Sequence, residues 1–180
     1  AATGIKVQVL PRASVSLDLK WTEASSFDEF IVEFQDPMEI LGMVAIINND
    51  VNQHRVTVPR RYQNYWAYGV GVEYQYNHRM ILRGGYEFRE SPIPPSQADA
   101  VVPIGEIHLF GTGLNFRIDK DSDIDLAAAY ITSTTEAPAC TSPNANDCGI
   151  SSLVYSPYSG LDMKHTLNVA LFELAYQSRW

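Results

Sequence analysis

The stretch that decides the fold is YWAYGVGVEYQYNHRMILRGGYEFRE, from Tyr65 to Glu90. In its first half Trp66, Tyr68, Val70, Val72, Tyr74 and Tyr76 fall on one face of an extended chain, and Ala67, Gly69, Gly71, Glu73 and Gln75 on the other. After Asn77-His78 the pattern restarts, with Leu82, Gly84, Tyr86 and Phe88 set against Arg83, Gly85, Glu87 and Arg89. Side chains change sides at every residue only in a β-strand, so a period of two predicts two strands joined by a tight turn. The chemistry of the two faces is as informative as the period. Large aromatic and aliphatic groups oppose glycine and charge, the profile of a wall with hydrocarbon on one side and a polar interior on the other.

The same alternation extends in both directions. Toward the C-terminus, Phe110, Thr112, Leu114, Phe116 and Ile118 oppose Leu109, Gly111, Gly113, Asn115 and Arg117, and Ile124, Leu126, Ala128 and Tyr130 oppose Asp125, Ala127 and Ala129. In the last strand, His165 to Trp180, the residues Ala170, Phe172, Leu174, Tyr176 and Trp180 oppose Val169, Leu171, Glu173, Gln177 and Arg179. Toward the N-terminus, Val15, Leu17, Leu19 and Trp21 alternate with Ser16, Asp18, Lys20 and Thr22, and Phe30, Val32 and Phe34 with Glu29, Ile31 and Glu33. The Ser25-Ser26 step between these runs is either a kink in one long strand or a turn between two. Ile5 to Leu10 adds a short strand before Pro11. The expected fold is all-β: an antiparallel up-and-down meander of six to seven strands, with no convincing amphipathic helix.

Connection lengths separate a membrane barrel from its soluble rivals. The links near Asn77-His78 and Lys120-Asp121 are tight, whereas Gln35 to Gln63, Ser91 to Gly105 and Ser133 to Lys164 are long. Outer-membrane barrels alternate short periplasmic turns with long external loops in this way. Their aromatic residues also gather at the two membrane interfaces, and Trp66, Tyr68, Tyr74, Tyr86, Phe88, Phe116, Tyr130, Tyr176 and Trp180 lie near strand ends. A soluble barrel or sandwich also alternates, and would use the same aromatics as core. An aromatic last residue, Trp180, on an amphipathic strand resembles the signal read by the outer-membrane assembly machinery, which makes that machinery an expected partner.

Composition excludes other classes. With 46% hydrophobic and 19% charged residues the chain folds. A net charge of -8 and a pI near 4.9 leave no basic tract for nucleic acid. The longest apolar run, Ile40 to Ile47, is far below the ~20 residues of a spanning helix. Ala1 opens on no visible signal peptide, the expectation for a mature or truncated chain. Cys140 and Cys148 sit in a stretch rich in Ser, Pro, Asn and Asp, where they form a disulfide, two free thiols, or a metal pair lacking further ligands.

Three segments carry a family resemblance: LKWTEASSFDEF from Leu19, YWAYGVGVEYQYNHRMILRGGYEFRESPIPP from Tyr65, and FGTGLNFRIDKDSDIDLAAAYI from Phe110. A Gly-containing strand, a short turn, an Arg-Gly strand and then a Ser-Pro-x-Pro loop resemble the C-terminal half of the FadL/TodX-type outer-membrane transporters of long-chain fatty acids and hydrophobic compounds. The resemblance implies a bacterial outer-membrane location, a larger barrel with an N-terminal plug and a lateral opening, and passive passage of a hydrophobic ligand without a cofactor. Residues 1–180 would then be one C-terminal portion of the barrel, with plug and first strands absent. Between Leu10-Pro11 and Trp21 the chain lacks roughly a hairpin's worth of residues that the family carries. A porin, adhesin or structural barrel, or a soluble lipid-binding barrel, are the alternatives.

Nothing in the sequence reads as catalytic. His54, His78, His108 and His165 are scattered singly, away from metal-ligand spacing. Asp119, Asp121, Asp123 and Asp125 resemble a calcium loop, but Ile124 replaces the required Gly and Tyr130 the bidentate Glu. Gly111-Thr112-Gly113 lacks the rest of a dinucleotide fingerprint. The candidate substrate contacts lie on the polar faces. Arg83, Glu87 and Arg89, with Glu73, Arg117 and Glu173, can pair across strands, or leave one arginine, Arg83 or Arg89, to meet a carboxylate head group. Leu109, Val169 and Leu171, with Ile31 and Ile131, are apolar residues that can line a greasy path or pack a plug. Arg60 and Arg61 are placed to touch lipopolysaccharide phosphates, or to solvate a loop.

Overall fold

Tight turns need local chemistry, and this chain supplies it. Asn77 Oδ1 accepts a hydrogen bond from the Arg79 amide (2.8 Å), and Asp119 Oδ1 accepts one from the Asp121 amide (2.9 Å). In each case the short polar side chain bends the backbone as a turn would. The computed structural model describes residues 1–39, 41–42, 46, 52–98, 102–149 and 158–178. Its strands are β1 (Ala2–Leu10), β2 (Ala13–Thr22), β3 (Glu29–Glu33), β4 (Arg55–Pro59), β5 (Tyr65–Gln75), β6 (Met80–Arg89), β7 (Glu106–Arg117), β8 (Ser122–Ala137) and β9 (Met163–Ser178). Seven of them form one antiparallel sheet in the order β1-β2-β5-β6-β7-β8-β9, open at β1 and β9. It is a barrel wall that does not close on itself.

Two expectations change. The run Phe30 to Phe34 does not belong to the wall: β3 pairs only with β4, as a separate two-stranded hairpin. The Ser25-Ser26 step is therefore a turn, where the chain leaves the wall, and β2 pairs directly with β5 across the whole excursion. The stretch Gln35 to Gln63, read as loop, contains β4. Five residues beside His54 and Arg60 are too short for alternation to announce a strand. The count of seven wall strands is kept because Ile5 to Leu10 forms β1, paired along β2 from Ala2↔Lys20 to Leu10↔Ala13.

Register sorts the faces. On the outer face, Val72, Gly84, Thr112, Ala128 and Phe172 lie in one row across β5 to β9. Above it stands Val70-Tyr86-Phe110-Tyr130, then Tyr68-Phe88-His108. Here the Tyr86 hydroxyl and His108 Nδ1 share a hydrogen bond of 2.7 Å, and Phe88 packs on the imidazole at 5.3 Å. Such polar-tipped aromatics suit a membrane interface. Tyr74, Phe116 and Tyr176 mark the opposite side, near the tight turns. Phe172 is 84% and Leu174 72% exposed. A water-soluble protein seldom leaves so broad an apolar face uncovered, so the soluble readings lose to a lipid-facing wall. From Trp66 to Tyr76 the chain rises roughly 33 Å at about 3.3 Å per residue, which a ~40° tilt reduces to roughly the ~25 Å height of the apolar band. Ala128→Arg, in the middle row, is expected to cost about 2–4 kcal/mol, read as a lowered urea midpoint for folding into vesicles.

Beyond the upper aromatic row β8 and β9 run on as a hairpin, so the loop expected from Ser133 begins only after Ala137. Ser133, Thr135, Ala137 and Met163 on its inner side are buried, while Thr134 and Glu136 outside are exposed. The β6–β7 connection does the covering. It carries a 3-10 turn at Pro95–Gln97, and Ala98 packs with Ala137, Ala145 and Met163. The Gly105 amide donates to Ser133 Oγ (3.0 Å), and a Cβ on Gly105 would sit 1.9 Å from the Thr134 carbonyl oxygen. Only glycine fits this approach. Gly105→Ala is expected to cost about 1–3 kcal/mol through a forced backbone shift and to raise hydrogen exchange at the Gly105 amide.

A second loop holds this arm down. Cys140 and Cys148 are joined by a disulfide, and Asn146 sits fully buried inside the resulting ring. Asn146 Nδ2 lies within hydrogen-bonding distance of the carbonyls of Ala137 (3.0 Å), Pro138 (2.8 Å) and Leu161 (2.8 Å), and its Oδ1 accepts from the Ser142 amide (3.0 Å). Ser142 Oγ then donates to the Ala98 carbonyl (2.5 Å), and Asn144 Nδ2 reaches Gln97 Oε1 (3.4 Å).

Candidate functional site

The inner face of the wall is organised in three levels. Nearest the tight turns lies a belt of charge. Glu73 bonds Lys6 (3.0 Å) and Arg83 (2.9 Å), and Arg83 also approaches Asp125 at 3.9 Å. Asn115 Nδ2 donates to Asp125 (2.9 Å), and Arg117 pairs with Asp123 at 3.4 Å. These groups lie on neighbouring strands because Glu73↔Arg83 and Arg117↔Asp123 are register partners. With side chains half open to the interior, such pairs contribute little individually, on the order of 1 kcal/mol or less.

The middle level is nearly bare. Ser16, Gly71, Gly85, Gly111 and Ala129 are successive register partners from β2 to β8, so the wall is at its thinnest here. Just below, Arg83, Gly113, Asp125, Ala127, Glu173 and Gln177 surround a concavity of about 420 Å³. Such a volume suits a small molecule.

The upper level divides by strand. Toward β6 it holds Glu87 and Arg89, bonded to each other at 2.5 Å. Toward β7, β8 and β9 it is apolar: Ile107 and Leu167 flank Ser133 in one row, Leu109, Ile131 and Val169 form the next, and Leu171 lies beside Ala129 below them. The expected residues Leu109, Val169 and Leu171 thus share one patch, with Ile131. Arg83, Glu87 and Arg89 lie on the same inner face, beside and below it. Ile31 is separated from them, because β3 is outside the wall. Ile107 and Leu167 were missed, although each stands two residues from Leu109 or Val169 and so shares its face.

Both arginines considered for a carboxylate already hold one, Arg83 that of Glu73 and Arg89 that of Glu87. An acidic ligand would reach either only by displacing that partner. Glu173 has no ion-pair partner among the described residues. Arg60 is buried, with its amide bonded to the Asp28 carbonyl, which leaves Arg61 as the exposed member of that pair. Among the described residues no three His, Cys, Asp or Glu side chains are grouped to hold a metal. Arg179 and Trp180, and with them the terminal aromatic signal, lie outside the described residues.

The model of the family described as outer membrane protein transport protein (OMPP1/FadL/TodX) matches residues 1–180, the whole chain. The chain belongs to this family. The FadL/TodX assignment makes it a bacterial outer-membrane protein of a transport family, and its apolar outer face is accordingly the lipid-facing one. Its fold is similar to that in the crystal structure of a Pseudomonas aeruginosa FadL homologue, with a TM-score of 0.64 at 17% identity. The match covers 98% of this chain and 34% of the homologue, so the chain spans about a third of that protein's length. The open edges at β1 and β9 agree with a partial barrel. No curated protein matches the sequence.

Proposed function

We propose that this chain forms part of a passive outer-membrane conduit for hydrophobic small molecules, with long-chain fatty acids as the substrate class. One observation carries the reading: on an inner face that is elsewhere mostly charged, polar or bare, β7, β8 and β9 bear the contiguous apolar patch Ile107, Leu109, Ile131, Leu167, Val169 and Leu171. Water inside a polar-solute pore gains nothing from such a surface, whereas an alkyl chain is stabilised by about 0.8 kcal/mol for each CH₂ it buries. Ligand is captured among the external loops and descends along the patch to the thin-walled level, without covalent chemistry or cofactor. Lipopolysaccharide contacts of Arg61 and recognition of the last strand by the assembly machinery belong to the same reading.

The rival is a polar-solute pore, favoured by the Lys6-Glu73-Arg83-Asp125 belt. Expression in a strain lacking its own fatty-acid importer separates the two. Growth and uptake on oleate support the proposal. Rescue by an aromatic hydrocarbon alone moves the substrate class to monoaromatics, and rescue by neither rejects hydrophobic transport.

A further inference from the structure

The inner face of β9 reads His165, Leu167, Val169, Leu171, Glu173: one polar group, three apolar ones, then an acid. Thr135 on β8 is the register partner of His165. Thr135 is only 9% exposed, and neither its Oγ1 nor His165 Nε2 has a hydrogen-bond partner among the described residues. Buried polar groups are almost always paired, and two orphans side by side on adjacent strands need an explanation. Both belong to the inner face, immediately above the apolar patch. This end is covered by the β6–β7 connection, where a Cβ added to Gly105 would sit 2.9 Å from the Thr135 hydroxyl.

We propose that Thr135 and His165 are a head-group subsite for a single-chain amphiphile whose head bears a carboxylate or hydroxyl oxygen, its alkyl chain lying along Leu167, Val169 and Leu171. The subsite rests on the conduit reading above. A hydroxyl can donate or accept and an imidazole nitrogen can do either, so one oxygen head satisfies both orphans at once. The interval from His165 to Leu171 is roughly 20 Å at about 3.3 Å per residue, room for an extended chain. Glu173, without an ion-pair partner among the described residues, stands at the far end and repels an acidic head there, which sets the orientation head outward. The 91–98 arm closes over this end, with Ala98 packed on Ala137 and Met163. It is held by the Ser142-Ala98 and Asn144-Gln97 hydrogen bonds, which yield when the head enters.

The test is equilibrium binding of radiolabelled dodecanoate, dodecanol and dodecane to the protein in lipid nanodiscs, with Thr135→Val and His165→Phe combined in one variant. The expected result is binding of both oxygen-headed ligands weakened about tenfold or more, with dodecane within about twofold of the parent protein. If the variant lowers all three equally, or none, the orphans are met by water and the subsite is wrong. A second measurement needs no variant: the His165 imidazole nitrogen resonances of the parent protein should shift with dodecanoate and not with dodecane, and an equal response to both overturns the proposal. Parent protein that binds none of the three rejects the conduit reading itself. Binding of all three without discrimination rejects the subsite alone.

Discussion

Leu171→Asp is expected to reduce uptake of a long-chain fatty acid about a hundredfold or more while leaving folding intact. Leu171 projects from the inner face next to Ala129, half open to the interior, so its loss leaves no cavity in a packed core. The passing alkyl chain loses the contact of one leucine, worth about 1.5–3 kcal/mol when fully made. It must also desolvate a new carboxylate one inner-face step from Glu173. A charge pressed against hydrocarbon without a partner adds several kcal/mol, and about 2.8 kcal/mol in total already corresponds to a hundredfold. Uptake of labelled oleate measures the effect, and heat-modifiable migration of the folded barrel controls for assembly. Leu171→Asn separates the lost contact from the added charge and should fall between the two. Unchanged uptake in both variants would remove Leu171 from the path.

Asn146→Ala is expected to unfold the disulfide-tied loop locally, with a loss on the order of 3–5 kcal/mol. The side chain faces three carbonyls and one amide in a fully buried site. Each buried group left unsatisfied costs about 1–3 kcal/mol, about twice what one hydrogen bond contributes when made. The disulfide then holds a ring with nothing inside it. Hydrogen exchange of the Cys140 and Gly160 amides, both of which donate to the Asn146 carbonyl, should accelerate by orders of magnitude. The amides of β5 to β7 should not change, because the loop touches the wall only at its upper edge. Equal acceleration throughout would show that the cap and the wall unfold as one unit. Cys140→Ser alone is expected to be milder, about 2–3 kcal/mol from a short closed ring.

The wall was legible because a strand in a membrane barrel is a local object facing two solvents. Each of β5 to β9 shows its faces within its own residues, and the Asn77 and Asp119 turns carry their own bending chemistry. Where that contrast of solvents is missing, reading failed. Glu29–Glu33 has a strand's alternation but nothing local tells which sheet it joins, and Arg55–Pro59 is too short to announce itself. The upper part of β8, Thr132 to Ala137, stands clear of the membrane, so its outer face has no reason to be apolar and it passed for loop.

The site divides in the same manner. Which residues face inward follows from parity, and so the sequence alone determined that Arg83, Glu87, Arg89, Leu109, Val169 and Leu171 share one side of a lipid-facing wall. Parity does not say which inward residues lie side by side. That depends on register, a long-range property, and only the tertiary structure placed Leu109, Ile131 and Val169 in one row, tied Arg83 to Glu73, and packed Ala98 of the 91–98 arm on Ala137 and Met163. The alternation of one strand is dictated by its own backbone. The company its side chains keep is decided by strands and loops far away in the chain.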